Sequence, residues 1–181
     1  MIILYGAPGS GKSVQGEKLA QKYGWEWFSY HGIFSDLNDK DINLSLNRGI
    51  KIDDETCIKK MSTIFQSIDK HNLWRSTVLD DLPNSTKQIY WMVEQDCLKY
   101  LEGAIILRVP RGELWKRMLE RGRVDDTRAA IERRQDNYER TITGMIHTLK
   151  QNNIQVAEVD GRNSPEDVLK RIEEKLRGWR A

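Results

Sequence analysis

The chain reads as an α/β protein with a doubly wound parallel sheet. Three observations lead there. Short apolar runs alternate with helical segments along all 181 residues, the first run passes through a glycine-rich turn into a helix, and no repeat, low-complexity tract or Ser/Pro-rich linker divides the chain. Strands that alternate with helices need crossover connections, and crossovers build a parallel sheet covered by helices on both faces.

Residues 2–5, Ile-Ile-Leu-Tyr, form a continuous apolar run of the kind a strand buried on both faces requires. After the glycine-rich turn, residues 13–23 read as a helix whose Val14, Leu19 and Ala20 face inward, with Gly24 at the stop position. Residues 25–29 are a second strand. Residues 30–51 are polar, lack a sustained period and carry the turn formers Asn38, Asp39, Asn43, Asn47 and Gly49, so they read as an exposed insertion. Asp53 caps a helix that runs to about residue 70, because Asp54 and Glu55 fill a first turn where the helix dipole favours negative charge. A strand over 76–79 ends at Asp80. A helix over 84–101, a strand over 104–109 and a helix over 111–120 follow. A long charged helix over about 127–151, a strand over 156–159 and a helix over about 165–178 complete the chain.

Composition narrows the function. The 29 Lys plus Arg against 27 Asp plus Glu leave a net charge of +2, which argues against a general nucleic-acid binder. Cys57 and Cys97 lack metal-ligand spacing and fit a reducing cytoplasm. No apolar run reaches the roughly 18 residues of a membrane span, and the first apolar stretch has no basic flank of a signal peptide. A soluble intracellular protein of one domain, residues 1–181, is the expectation.

Gly6-Ala7-Pro8-Gly9-Ser10-Gly11-Lys12-Ser13 satisfies the full G-x-x-x-x-G-K-[ST] pattern between a strand and a helix. Glycines let successive backbone N–H groups turn toward one point, and the helix start adds its dipole there. The loop's backbone amides are therefore candidates to hold a nucleotide phosphate. Lys12 supplies charge, and the Ser13 hydroxyl is suited to Mg²⁺. Asp80, at the carboxyl end of a parallel strand, is placed either to hold that metal through water or to cap the turn of Asp81, Pro83 and Asn84.

Arg117 and Arg121 share a helical face at i, i+4, Arg123 follows that helix, and Arg134 lies two turns into the next. A helix–loop–helix hairpin brings all four toward one space. Guanidinium groups closing over a transferring phosphoryl stabilise its charge, and a small mobile segment that carries them also excludes water. A solvated arginine-rich face, with Arg111, Arg128, Arg133 and Arg140, is the competing explanation.

Together these residues resemble the adenylate kinase and nucleoside monophosphate kinase family over nearly the whole chain. The match lies in residues 3–12 with Gln15, in Gly49-Ile50-Lys51-Ile52-Asp53-Asp54-Glu55, in residues 77–83 with Gln88, and in Arg123-Val124-Asp125-Asp126 with Arg134. The resemblance implies a P-loop NTPase-type five-stranded parallel sheet, a monophosphate-binding lobe at about 30–66 and a very short lid at about 121–126. It implies ATP and a nucleoside monophosphate as partners, Mg²⁺ as cofactor, and a monomer. Lys12, Arg117, Arg121, Arg123 and Arg134 take the catalytic positions, the amides of Gly9, Ser10, Gly11, Lys12, Ser13 and Val14 grip ATP with the Lys12 charge and Arg121, and Asn163 borders the adenine of ATP. Tyr30, Ser35, Ile50, Lys51, Ile52, Asp81, Asn84 and Gln88, with Arg123 and Arg134, take the acceptor positions, and Ser13 and Asp80 the metal. Because Gln88 stands at the family's adenine-reading glutamine, AMP is the expected acceptor.

The acceptor side also departs from the family. Ser35 and Asn84 replace its two acceptor arginines, and Asp81 replaces a glycine. Each lost hydrogen bond to a charged phosphate removes about 1.5–3 kcal/mol unless another donor, such as Arg48, Lys51, His31 or Tyr30, replaces it. A kinase of another small acceptor, or a nucleotide sensor with little turnover, are the alternatives.

Overall fold

A computed structural model describes residues 1–37, 39–123 and 126–180. Five strands, β1 (Ile2–Gly6), β2 (Glu26–Ser29), β3 (Thr77–Asp80), β4 (Gly103–Arg108) and β5 (Val156–Asp160), form one sheet in the order β2-β3-β1-β4-β5. Every neighbouring pair is parallel, as the alternation of elements requires. Among the described residues eight helices accompany them: α1 (Lys12–Tyr23), α2 (Tyr30–Ser35), α3 (Lys40–Asn47), α4 (Asp54–Lys70), α5 (Thr86–Glu94), α6 (Arg111–Arg121), α7 (Arg128–Gln151) and α8 (Pro165–Arg180).

The central strand shows why the sheet is covered twice. Ile3 and Tyr5 enter one core with Met61, Phe65 and Ile68 of α4, Ile89 of α5 and Met145 of α7. Ile2 and Leu4 point the opposite way, into a second core with Leu19 of α1 and Ile172 of α8. Successive strand residues alternate faces, so an all-apolar strand is buried on both sides. Each large side chain so buried contributes roughly 1.5–3 kcal/mol.

Three local expectations change. Residues 30–51 are not an irregular insertion, since they hold α2 and α3, capped by Ser29 and Asp39. Phe34, Leu46, Ile52 and Cys57 give this lobe a small core of its own. Its helices are too short for a sustained period to show in the sequence. The segment 84–101 is broken: α5 is capped by Ser85, ends at Glu94, and a 3₁₀ turn follows at Leu98–Tyr100. Val14, expected inside, is 44% exposed and lines the cavity described below. Asn38, Val124 and Asp125, read above as a turn former and as parts of the lid motif, lie outside the described residues. Among the described residues no helix is long and apolar enough to cross a membrane.

Candidate active site

The sheet order changes direction around β1, and a crevice opens beyond the carboxyl ends of β1 and β3, where open α/β sheets place ligands. A cavity of about 610 Å³ fills it. One end is built by the phosphate loop. Gly9 and Gly11 hold φ of 86° and 94°, a left-handed conformation that side chains rarely adopt. The helical bond pattern of α1 begins with the Gln15 N–H donating to the Gly11 carbonyl at 3.1 Å. Gly11 offers no side-chain cap. The first-turn amides of Lys12, Ser13 and Val14 therefore face the cavity as an anion site. Lys12 Nζ donates to the Gly6 carbonyl at 2.6 Å and folds back across the loop.

Asp80 ends β3 directly opposite the loop. Its Oδ2 accepts the Ser13 hydroxyl at 2.8 Å, and the residue is 2% exposed. Burial pushes its carboxyl up to about 6, and the Lys12 charge only partly opposes this. A buried carboxylate beside a hydroxyl at a phosphate loop is a hard oxygen pair, and it fits Mg²⁺. The cap alternative loses ground because the Asp80 carboxylate engages Ser13, not the turn that follows it.

All four arginines line the cavity. Arg117 donates to the carbonyls of Gly161 at 2.9 Å and Arg162 at 3.2 Å, so it braces the loop that brings Asn163 to the same end. Arg121 closes a two-pronged pair on Asp126 at 2.9 and 2.8 Å, and Arg134 reaches the same carboxylate at 3.3 Å. Burial pushes the Asp126 carboxyl up, and the Arg121 hydrogen bond with the two guanidinium charges more than reverses this, leaving it below the usual range. Asp126 therefore ties α6 to α7 across the cavity mouth. Arg123, just past the left-handed cap at Gly122, is exposed there.

At the other end the acceptor residues separate. Tyr30, Ile50, Lys51, Asp81 and Asn84 line the cavity, whereas Ser35, Ile52 and Gln88 do not. Ser35 turns its hydroxyl to the Gly32 carbonyl at 2.9 Å. Ile52 packs into the lobe core, and its N–H donates to the Tyr30 hydroxyl at 2.8 Å. Gln88 is fully buried, its oxygen accepting from the Asn84 N–H at 2.8 Å while its NH₂ donates to Asp54 at 2.8 Å and to the Asn84 side-chain oxygen at 3.0 Å. Lys51 Nζ donates to the Asn84 carbonyl at 2.5 Å, and burial lowers its pKa. Sequence reading missed the wall opposite, which α7 supplies through Asn137, Tyr138, Thr141, Ile142 and Met145 below Arg134. Their 3–4-residue spacing from Arg134 was the available signal. Tyr5 was missed as a cavity residue too, whereas of the replacement donors considered for the acceptor, Tyr30, His31 and Lys51 line the cavity and Arg48 does not.

A family model described as an AAA domain matches residues 2–142. An adenylate kinase of Micrococcus luteus is 30% identical over 180 residues, covering 94% of this chain and 87% of that protein. An adenylate kinase of Prochlorococcus marinus (strain MIT 9301) is 30% identical over 161 residues, covering 82% and 84%. One from Azobacteroides pseudotrichonymphae genomovar. CFP2 is 28% identical over 189 residues, covering 97% and 96%. With a phosphate loop heading the central strand of a five-stranded parallel sheet, and likeness to adenylate kinases along most of its length, the chain belongs to the adenylate kinase family of P-loop kinases.

Proposed function

We propose that the chain transfers the terminal phosphoryl group of Mg-ATP to a nucleoside monophosphate. The observation that carries this reading is that one continuous cavity is lined by the phosphate loop, by four arginines and by the small lobe of α2 and α3. On this reading the loop amides and Lys12 bind the donor phosphates. Ser13 and Asp80 would hold Mg²⁺, which would supply charge neutralisation to the donor phosphates. Arg121, Arg123 and Arg134 hold the two substrates' phosphates in line, and Arg117 fixes the loop that borders the donor base. No protein base is needed, because the acceptor's phosphate oxygen is already a nucleophile. One chain provides both halves of the site, so a monomer suffices and ATP and the monophosphate are its partners. The free cysteines Cys57 and Cys97 fit a cytoplasmic setting.

The expectation of AMP rested on Gln88, and that residue is spent on Asn84 and Asp54 behind the cavity wall. The reading therefore stands at the level of the nucleoside monophosphate. A coupled assay of diphosphate formation with Mg-ATP against AMP, GMP, CMP, UMP and dTMP tests it, with a no-acceptor control. Lys12→Ala abolishes turnover, and Arg123→Ala lowers it by about two orders of magnitude or more without loss of stability. No turnover with all five acceptors, or unchanged turnover in Arg123→Ala, overturns the assignment.

A further inference from the structure

The acceptor end of the cavity contains a carboxylate that the catalytic assignment leaves unused. Asp81 holds φ of 61°, its N–H donates to the Leu4 carbonyl at 3.0 Å, and the residue lines the cavity. A non-glycine residue in the left-handed region is uncommon and is best tolerated by Asp and Asn. Two buried hydroxyls that feel the Asp81 charge have no hydrogen-bond partner. Tyr5 is fully buried and its Oη is unpaired, and Tyr138 Oη is likewise unpaired, while both residues line the cavity. Burial raises both phenols, Tyr138 to about 12, and the nearby Asp81 charge adds to the rise in each. An unsatisfied buried hydroxyl costs free energy until a ligand or water completes it.

The hydrogen-bonding inventory here differs from one that reads adenine. A glutamine amide both donates and accepts, matching the adenine edge, which offers an amino donor beside a ring acceptor. Gln88 has withdrawn from the cavity, and Asp81 now stands in it. An ionised carboxylate only accepts, so the adenine ring nitrogen would face a like lone pair. Guanine presents its N1–H and its 2-amino group side by side, a pair of donors that matches two carboxylate oxygens, and its O6 accepts from a tyrosine hydroxyl.

We infer that Asp81, with the Tyr5 and Tyr138 hydroxyls, reads the acceptor base and selects a purine with adjacent N–H donors, a guanine-type monophosphate, over AMP. This inference rests on the nucleoside monophosphate reading above. Equilibrium binding of GMP, IMP and AMP to the full chain, in Mg²⁺ and a non-hydrolysable ATP analogue, is measured beside turnover with each acceptor. GMP binds about tenfold or more tightly than AMP, and IMP, which lacks the 2-amino donor, falls between. Asp81→Asn keeps shape and the left-handed conformation, and it lowers GMP affinity about tenfold while AMP affinity holds or improves. Tyr138→Phe lowers GMP affinity several-fold and leaves ATP-analogue binding unchanged. Equal or tighter binding of AMP in the wild type, or a GMP-to-AMP ratio that Asp81→Asn does not move, overturns the base assignment while turnover keeps the kinase reading. Selective GMP binding without turnover of any monophosphate has the reverse effect, supporting the base assignment and overturning phosphoryl transfer. Failure of all three to bind overturns the base assignment, and the kinase reading falls with it when CMP, UMP and dTMP also give no turnover.

Discussion

Asp80→Asn isolates the stability that the chain gives up to keep a charge at the phosphate loop. In the folded protein burial lifts the Asp80 carboxyl from its usual 3.8 to about 6. An acid with a raised folded pKa contributes stability that is complete below the unfolded value and is lost as pH rises through the folded one. A rise of about two units corresponds to about 3 kcal/mol at pH 7. Asn retains an oxygen for the Ser13 hydroxyl, now 2.8 Å from Oδ2, and gives back about 1 kcal/mol if that bond weakens. The variant is therefore more stable than wild type by about 2 kcal/mol at pH 7, a urea midpoint shift on the order of 1 M. The advantage opens between pH 4 and about 6 and stays level above it. Urea unfolding in EDTA from pH 4 to 8, with turnover measured in parallel, checks both halves, because the same change removes a metal-side oxygen and lowers Mg²⁺-dependent turnover. A variant no more stable than wild type at pH 7, or a difference that does not vary with pH, refutes the reasoning.

Other changes act at different joints of the site. Asp126→Asn removes a carboxylate that binds Arg121 and Arg134, and it destabilises by about 1–3 kcal/mol at pH 7, given that both arginines are partly exposed. Here the sign is opposite: the folded pKa is lowered, so the wild-type advantage is present above about pH 4 and is lost as pH falls further. A difference that persists undiminished at pH 2.5 counts against the pairing. Gly49→Ala places a Cβ 2.7 Å from the Ala130 carbonyl at φ of +67°, which pushes the lobe away from α7. The acceptor KM rises about tenfold while ATP binding is kept, and steady-state kinetics with each substrate varied separates the two. Gly16→Val drives a side chain into the Trp27 indole and lowers stability by about 1–3 kcal/mol, read as a fall in Tm. An unchanged Tm would show that the indole moves freely.

Sequence sufficed for the fold because its signals are local. The all-apolar Ile2–Tyr5 run, the phosphate-loop letters and the alternation of strand and helix each follow from backbone chemistry within a few residues. The phosphate-loop end of the cavity was legible for the same reason: Gly6 to Ser13 is contiguous, and Asp80 ends a recognisable strand. The opposite end was not. Which of Ser35, Ile52, Gln88 and Asp81 lines the cavity depends on the hydrogen bonds Gln88 accepts from Asn84 and donates to Asp54, on a left-handed turn and on a lobe core, which tertiary packing decides. Position in a motif places a residue on a segment, but only packing decides where its polar atoms are spent. Gln88 shows this most clearly, matching by position and facing away, while Tyr5 and Tyr138, silent in the sequence, bring unpaired hydroxyls to the same cavity.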